Sequence, residues 1–212
     1  MAELIRGLDP ERVRENLAEV RAELESDAIE VVAAVKYVAL EELAVLVEAG
    51  VTHVGENRAQ ELAAKATTEP GARLTWDFIG RLQSRKVKQV LPHVRLIHSV
   101  ATRSALEQLG KHAPPETDVL VEVNVAEEAG KGGVAPGELE AFIAACPVRV
   151  SGLMTMPPYA ERAEDSRRWF AALAQLAADR GLERLSMGTT QDFAVAAQEG
   201  ATIVRVGTRL FR

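Results

Sequence analysis

The most restrictive feature of this chain is a regular alternation of short β-rich runs with helical patterns. The β-rich runs lie at residues 30–36, 52–55, 74–79, 94–98, 118–124, 148–153, 184–187 and 202–206. Helical patterns fill the gaps between them, and eight such units favour a closed (β/α)8 barrel. We therefore predict a single α/β domain over residues 1–212, a TIM-type barrel with no second domain. A doubly wound open sheet is the alternative.

An additional helix is predicted before the first strand. Asp9 suits an N-cap and Pro10 suits the first helical position. Apolar residues then recur at helical spacing, at Val13, Leu17, Val20 and Leu24. The sequence after the eighth strand is too short for another helix. We therefore expect the N-terminal helix, at residues 9–25, to cover the gap that this leaves in the outer ring.

Charge and composition argue against several classes of function. The 212 residues carry a net charge of −6, which is not the basic footprint of a nucleic-acid or membrane-surface protein. The single cysteine, Cys146, excludes an internal disulfide and a cysteine-rich metal site. The four histidines are scattered, so no metal site is expected. The sequence offers no signal peptide or spanning run, and we expect a cytoplasmic monomer.

Lys36 directly follows the apolar run at residues 31–35. A lysine at the end of a core strand is costly to desolvate, so it either snorkels into solvent or serves a site. Partial burial favours the neutral amine, the nucleophile that forms Schiff bases. Because active sites of (β/α)8 barrels lie at the carboxyl ends of the strands, Lys36 is the first candidate site residue.

Glycines and hydroxyl groups gather at the ends of the last two predicted strands. Ser186 and Gly188 precede a helix expected to begin near Thr190, and Gly207 and Thr208 follow the eighth strand. Phosphate sites in these barrels form from these two loops and a helix N-terminus. Either motif alone favours an ordinary cap or turn, but the two together predict a phosphate site. The absence of a Walker-type loop argues against a nucleoside triphosphate.

Arg205 lies within the apolar strand at residues 202–206. A buried arginine needs a partner, which is either a structural carboxylate such as Asp192 or a ligand acceptor. Lys36, a phosphate site and Arg205 together suggest pyridoxal 5′-phosphate, with its aldehyde on Lys36 and its ring nitrogen at Arg205. The alternative is a barrel enzyme that acts on a phosphosugar, with Lys36 as an aldolase-type Schiff base.

Ordered sequence blocks along nearly the whole chain carry a family resemblance. They are residues 33–36, 55–57 with 60–61, 78–80 with 82–84, Lys86, 123–124 with Glu128, Lys131 and Gly133, 152–154, 185–188 with Asp192, and 204–208. With these blocks the chain resembles the pyridoxal phosphate homeostasis protein family. That family is similar to the N-terminal barrel of alanine racemase standing alone, a fold type III barrel.

The resemblance implies a pyridoxal 5′-phosphate carrier that takes part in vitamin B6 and amino-acid homeostasis, without robust turnover. It implies that Lys36 forms the internal aldimine and that Arg205 faces the pyridine nitrogen. The other implied contacts are Asn57 near the ring, and Ser186, Gly188, Gly207 and Thr208 at the phosphate. B6 vitamers and apo-enzymes that receive the cofactor are the implied partners.

Several residues depart from the family pattern. Asp77 stands where histidine is usual, Arg85 replaces a common asparagine, and Tyr37 follows the lysine where threonine is common. A small amino-acid racemase is the alternative function, and it needs acid/base groups on both faces of its substrate. Tyr37 and Tyr159 are the only tyrosines. Strand alternation predicts that Tyr37 points away from Lys36.

Two further charged residues prompt hypotheses. Glu56 is a candidate for orienting Asn57 or Lys36. Lys131 lies in a glycine-rich loop after the fifth predicted strand. Lys131 is therefore either a solvated loop lysine or an auxiliary amine that accepts the aldehyde during cofactor transfer.

Overall fold

The chain forms a closed barrel of eight parallel strands within a ring of helices. The structure, a computed structural model, describes residues 4–212. The strands are β1 (Glu30–Ala34), β2 (His53–Glu56), β3 (Thr75–Phe78), β4 (Leu96–Val100), β5 (Asp118–Glu122), β6 (Arg149–Met154), β7 (Arg184–Thr189) and β8 (Ile203–Val206). They pair in sequence order, and β8 closes onto β1. This confirms the predicted (β/α)8 barrel over the open sheet.

Helices surround the barrel, and all but the first of them connect consecutive strands. They are α1 (Pro10–Leu24), α2 (Leu43–Glu48), α3 (Ala59–Ala66), α4 (Val87–Val90), α5 (Arg103–His112), α6 (Leu139–Ala144), α7 (Arg167–Ala178) and α8 (Phe193–Gln198). Several are short and are preceded by a 3-10 turn, such as Ser84–Lys86 before α4. No helix within residues 4–212 is both long and apolar enough to cross a membrane.

Helix α1 fills the gap in the outer ring, as the sequence predicts. Asp9 accepts a hydrogen bond from the Glu11 amide at 3.1 Å and so caps the helix. The predicted stripe from Val13 to Leu24 is buried, and α1 packs between α2 and α8. Buried Asn16 donates to the backbone carbonyls of Leu210 and Arg212, at 3.2 and 2.9 Å. These bonds anchor the C-terminal residues against α1.

Two kinds of core hold the barrel together. A large apolar core lies between the strands and the outer helices. A small second cluster is formed by Val32, Leu96, Leu120, Met154 and Ile203, from five different strands. Because these strands, β1, β4, β5, β6 and β8, lie around the circumference of the barrel, the five side chains meet inside it. The interior is therefore packed, and a site can open only at its ends.

Candidate functional site

One cavity of about 460 Å³ opens at the carboxyl ends of the strands. Its wall includes five of the seven predicted site residues, and these come from the ends of β1, β2 and β8. The lining residues are Ala34, Lys36, Tyr37, Asn57, Ile79, Gly80, Met156, Thr189, Thr190, Arg205, Gly207 and Thr208. The structure therefore brings Lys36, Asn57, Arg205, Gly207 and Thr208 together, and it leaves Ser186 and Gly188 outside this set.

Lys36 lies in a turn at the cavity rim and not at the end of a buried strand. Strand β1 ends at Ala34, and the Val38 amide donates to the Val35 carbonyl at 3.0 Å, which closes the turn. The Lys36 side chain is consequently exposed, contrary to the predicted partial burial. Because the chain turns here, strand alternation does not apply. The Lys36 ammonium lies 5.2 Å from the centre of the Tyr37 ring, so the prediction for Tyr37 is wrong.

The two glycines predicted to bind phosphate have different roles in the fold. Gly188 has φ = +88°, and a Cβ there would lie 2.6 Å from Ala196 Cβ. The backbone itself therefore requires this glycine. A Cβ on Gly207 would lie 3.7 Å from Ala34 Cβ, at ordinary contact distance. Packing does not demand glycine at position 207, so its absent side chain leaves a cradle open to a ligand.

Thr190 joins the two loops that form this cradle. Its hydroxyl accepts a hydrogen bond from the Gly207 amide at 3.0 Å, and its own proton is left to donate. The expected helix start near Thr190 is displaced, because α8 begins at Phe193 after the N-cap residue Asp192. Asp192 accepts bonds from the Thr189 amide at 2.8 Å and from the Thr189 hydroxyl at 3.1 Å. The loop is thus ordered by its own side chains.

Ser186 points into the barrel, away from the cavity. It is fully buried, and its hydroxyl lies 2.8 Å from His98 Nδ1 while it accepts a hydrogen bond from Arg205. Its single proton is therefore committed to His98 and is not available to a phosphate. The sequence suggested Ser186 as a phosphate ligand because it ends a strand. The side-chain direction, which sequence does not reveal, gives it a different neighbour.

Arg205 sits at the floor of the cavity. It is 5% exposed and donates to the carbonyls of Ser186 and Thr155, at 2.9 and 3.0 Å, and to Met156 Sδ at 3.0 Å. Within residues 4–212 no carboxylate lies at salt-bridge distance, so the structural pair with Asp192 is not formed. Burial lowers the pKa of Arg205 to about 10. The guanidinium is thus a buried cation at neutral pH without a close counterion.

A continuous hydrogen-bonded chain links Arg205 to the opposite end of the barrel. His98 Nε2 lies 3.1 Å from Asp77 Oδ2, and Arg95 donates to both oxygens of Asp77, at 3.1 and 2.8 Å. Arg95 also donates to Glu30 at 2.6 Å. All of these hydrogen bonds form together when His98 is neutral, accepts from the Ser186 hydroxyl at Nδ1 and donates to Asp77 from Nε2. Asp77, which departs from the family pattern, therefore belongs to this buried series of hydrogen-bonded side chains and does not line the cavity.

Burial and pairing fix the charges of Asp77 and His98 in this series of hydrogen-bonded side chains. Burial opposes the ionised form of Asp77, but hydrogen bonds from His98 and Arg95 outweigh it and lower the pKa of Asp77. Burial also lowers the pKa of His98, and its bond to Asp77 opposes this only in part. The folded state therefore holds an ionised Asp77 beside a neutral His98.

We expect His98 to make folding stability fall with acidification. The unfolded chain binds a proton on His98 below about pH 6.5, whereas the folded chain resists it. The free energy of unfolding should then decrease by up to about 1.4 kcal/mol per pH unit below that value. Denaturant titrations between pH 7.5 and 5.5 measure this slope. His98→Gln should reduce it, and the control His112→Gln should retain it; equal slopes in both variants would contradict the assignment.

A buried ion pair that the sequence analysis missed supports the rim of the cavity. Lys65 of α3 donates to Glu56 at 2.7 Å and to the Val35 carbonyl at 2.8 Å, one residue before Lys36. Glu56 also accepts from the backbone amide of Asn57 at 2.7 Å and so fixes the backbone at that residue. That it orients the Asn57 side chain stays a prediction. Lys65 and Glu56 are 2% and 0% exposed. This pair ties together the loops that follow β1 and β2.

Lys131 and Tyr159 lie beside the cavity but outside its wall. Both line a neighbouring pocket of about 290 Å³. Lys131 pairs with Glu128 at 3.1 Å, and Tyr159 is 85% exposed. Within residues 4–212 there is no cluster of three or more acidic, histidine or cysteine side chains arranged to hold a metal ion. The chemistry available in the wall of the cavity itself is therefore that of one amine, a phenol, a buried guanidinium and hydroxyl-bearing loops.

Comparisons with known proteins agree with the fold. The model of the family described as "Alanine racemase, N-terminal domain" matches residues 8–212. A pyridoxal phosphate homeostasis protein of Aquifex aeolicus is 45% identical over 175 residues, covering 76% of this chain and 77% of that protein. One of Pseudomonas aeruginosa is 40% identical over 173 residues, covering 77% and 75%.

Solved structures extend the comparison. PipY of Synechococcus elongatus, described with pyridoxal phosphate bound, is 31% identical with a TM-score of 0.81, over 94% of this chain and all of that one. The lysine/ornithine decarboxylase of Vibrio vulnificus shares the fold alone, at 15% identity and a TM-score of 0.74, over 99% of this chain and 64% of that one.

Fold and site together define a single (β/α)8 barrel with an amine at the rim of its top cavity and a buried arginine at the floor. The family model spans almost the whole chain, and the curated relatives match it over three quarters of their length. The chain belongs to the alanine racemase N-terminal domain family, and within it to the pyridoxal phosphate homeostasis proteins.

Proposed function

We propose that this chain binds pyridoxal 5′-phosphate, holds it as an imine on Lys36, and serves the intracellular balance of vitamin B6 and amino acids. The observation that carries the proposal is the shared cavity of Lys36, Arg205 and Gly207. An amine, a buried cation and an open glycine cradle match an aldehyde, a ring nitrogen and a phosphate. PipY, a structural neighbour, is described with pyridoxal phosphate bound.

Different residues of the cavity are assigned to different groups of the ligand. Lys36 supplies the nucleophilic amine, and Asn57 lies on the wall beside it. We assign the phosphate to Thr190, Gly207 and Thr208, because Ser186 has no free proton and Gly188 is required by the backbone. This assignment replaces two of the four phosphate ligands expected from the sequence and adds Thr190.

Arg205 favours a binding role over turnover. Bound pyridoxal phosphate supplies an electron sink for carbanion chemistry when its ring nitrogen is protonated. Arg205 has no close carboxylate, remains cationic at neutral pH, and faces the floor of the cavity. A cation there disfavours protonation of the ring nitrogen. We therefore infer a carrier, whose recipients are apo-enzymes that use the same cofactor.

A small amino-acid racemase is a second candidate, favoured by one observation. Tyr37 lines the cavity beside Lys36 and adds a phenol to the site. A racemase exchanges protons on both faces of its substrate, and Tyr37 and Lys36 are neighbours in one turn. Interconversion of alanine or serine enantiomers that is lost in both Lys36→Ala and Tyr37→Phe would support this function. Equal and negligible rates of interconversion in the wild type, Lys36→Ala and Tyr37→Phe would favour the carrier.

Lys36→Ala should abolish covalent uptake of the cofactor. The wild-type protein mixed with pyridoxal 5′-phosphate should develop the absorbance band of a lysine imine at a stoichiometry of one per chain, because the aldehyde condenses with the Lys36 amine. Lys88→Ala removes an exposed lysine of α4 outside the cavity and should leave the band intact. An unchanged band in Lys36→Ala would contradict the proposal.

A further inference from the structure

A second cleft lies beside the cavity, at the same end of the barrel. It has a volume of about 240 Å³ and lies between the loops that follow β2 and β3. Its wall carries four cations, Arg58, Arg81, Arg85 and Lys86, whereas the neighbouring Phe78 is buried and only 2% exposed. None of these cations enters the function proposed above.

The cleft concentrates positive charge that the protein does not neutralise. No carboxylate lines it, and within residues 4–212 none of its four cations forms a salt bridge. Arg85 reaches the neutral side chain of Gln83 at 3.1 Å, and Lys86 reaches Gln89 at 3.4 Å. The chain as a whole is acidic, with a net charge of −6. A concave group of unpaired arginines in such a chain attracts and orients small anions.

The cleft and the cavity share a fixed wall. Asn57 lines both. The Asn57 amide is held by Glu56 at 2.7 Å, and Gly80 packs so closely that a Cβ there would lie 2.1 Å from the Asn57 carbonyl oxygen. The partition between the two spaces is therefore rigid, and a ligand in the cleft lies directly beside the Lys36 cavity.

We propose that this cleft binds a second phosphate monoester, of the size and class of a phosphorylated B6 vitamer, next to the Lys36 cavity. The arginines receive the phosphate, since guanidinium groups bind phosphate oxygens in pairs. The identity of the ester rests on the proposed function. The cleft holds the incoming ester near the cavity without a covalent bond.

Pyridoxine 5′-phosphate is the suitable probe, because it has no aldehyde and cannot condense with Lys36. Calorimetric titration of protein whose Lys36 site has been filled with pyridoxal phosphate and reduced should show one further site per chain. Arg81→Gln/Arg85→Gln should weaken it about ten-fold or more, because it removes two charged hydrogen-bond donors. The exposed pair Arg73→Gln/Arg103→Gln removes the same charge elsewhere and should leave it unchanged.

Three outcomes would overturn the proposal: no further site, equal loss in both double variants, or competition by inorganic phosphate as strong as that of the ester. Inorganic phosphate should compete about ten-fold more weakly, because it leaves most of the cleft of about 240 Å³ unfilled. Failure of the Lys36 function is distinguishable. In that case unmodified protein would still bind the probe, and the affinity would depend on Arg81 and Arg85 but not on Lys36 or Gly207.

Discussion

Lys65→Met should lower the free energy of unfolding by about 3–5 kcal/mol, because it leaves the charge of Glu56 buried without a cation. Both partners are almost fully buried, and the ammonium donates to Glu56 and to the Val35 carbonyl at 2.7 and 2.8 Å. Methionine fills similar space but donates no hydrogen bond. The measurement is equilibrium unfolding in urea at pH 7.

The exposed residue Lys88 gives the matched control. Lys88→Met should change stability by less than about 0.5 kcal/mol, since it lies on the surface of α4. Glu56→Gln in the Lys65→Met background should recover part of the loss, because it removes the unpaired charge yet keeps an acceptor for the Asn57 amide. A Lys65→Met protein as stable as Lys88→Met would contradict the role of the pair.

Gly188→Ala and Gly207→Ala should separate a structural glycine from a binding one. Gly188→Ala should cost about 2–4 kcal/mol of stability, from left-handed backbone strain and overlap with Ala196 Cβ. Gly207→Ala should change stability by less than about 0.5 kcal/mol, because its Cβ meets neighbours at ordinary distances. Its methyl group fills the cradle, so affinity for pyridoxal phosphate should fall about ten-fold or more.

Urea unfolding and cofactor titration of the two variants check this contrast. Gly50→Ala is a useful reference for strain alone, because Gly50 has φ = +84° and open space around its Cβ position. The excess loss in Gly188→Ala over Gly50→Ala measures the overlap. If Gly207→Ala binds the cofactor as tightly as the wild type, the phosphate does not lie in the cradle.

Sequence periodicity was sufficient to predict the barrel, because apolar runs and helical stripes depend on local spacing. The positions of Lys36 and Arg205 at one end of it followed from strand order. Side-chain direction at strand ends was not predictable, because a one-residue change in where a strand stops reverses which side a residue faces. Ser186 turned inward and Tyr37 turned toward Lys36 for this reason.

Long-range pairs were the other part that the sequence did not reveal. In the sequence, Lys65 cannot be distinguished from other polar residues of a surface helix. Only folding brings it into contact with Glu56 and with the turn that contains Lys36. The link from Asp77 through His98 to Ser186 joins β3, β4 and β7 across the barrel. Such contacts depend on closure of the sheet, so spacing along the chain carries no signal for them.

The most direct test of the central claim is borohydride reduction of the protein with pyridoxal 5′-phosphate, followed by mass mapping of the modified peptide. The account predicts one modified lysine per chain, Lys36, and no modification of Lys65, which is buried and paired. Modification centred on Lys131 or spread over surface lysines, with Lys36 left free, would contradict it.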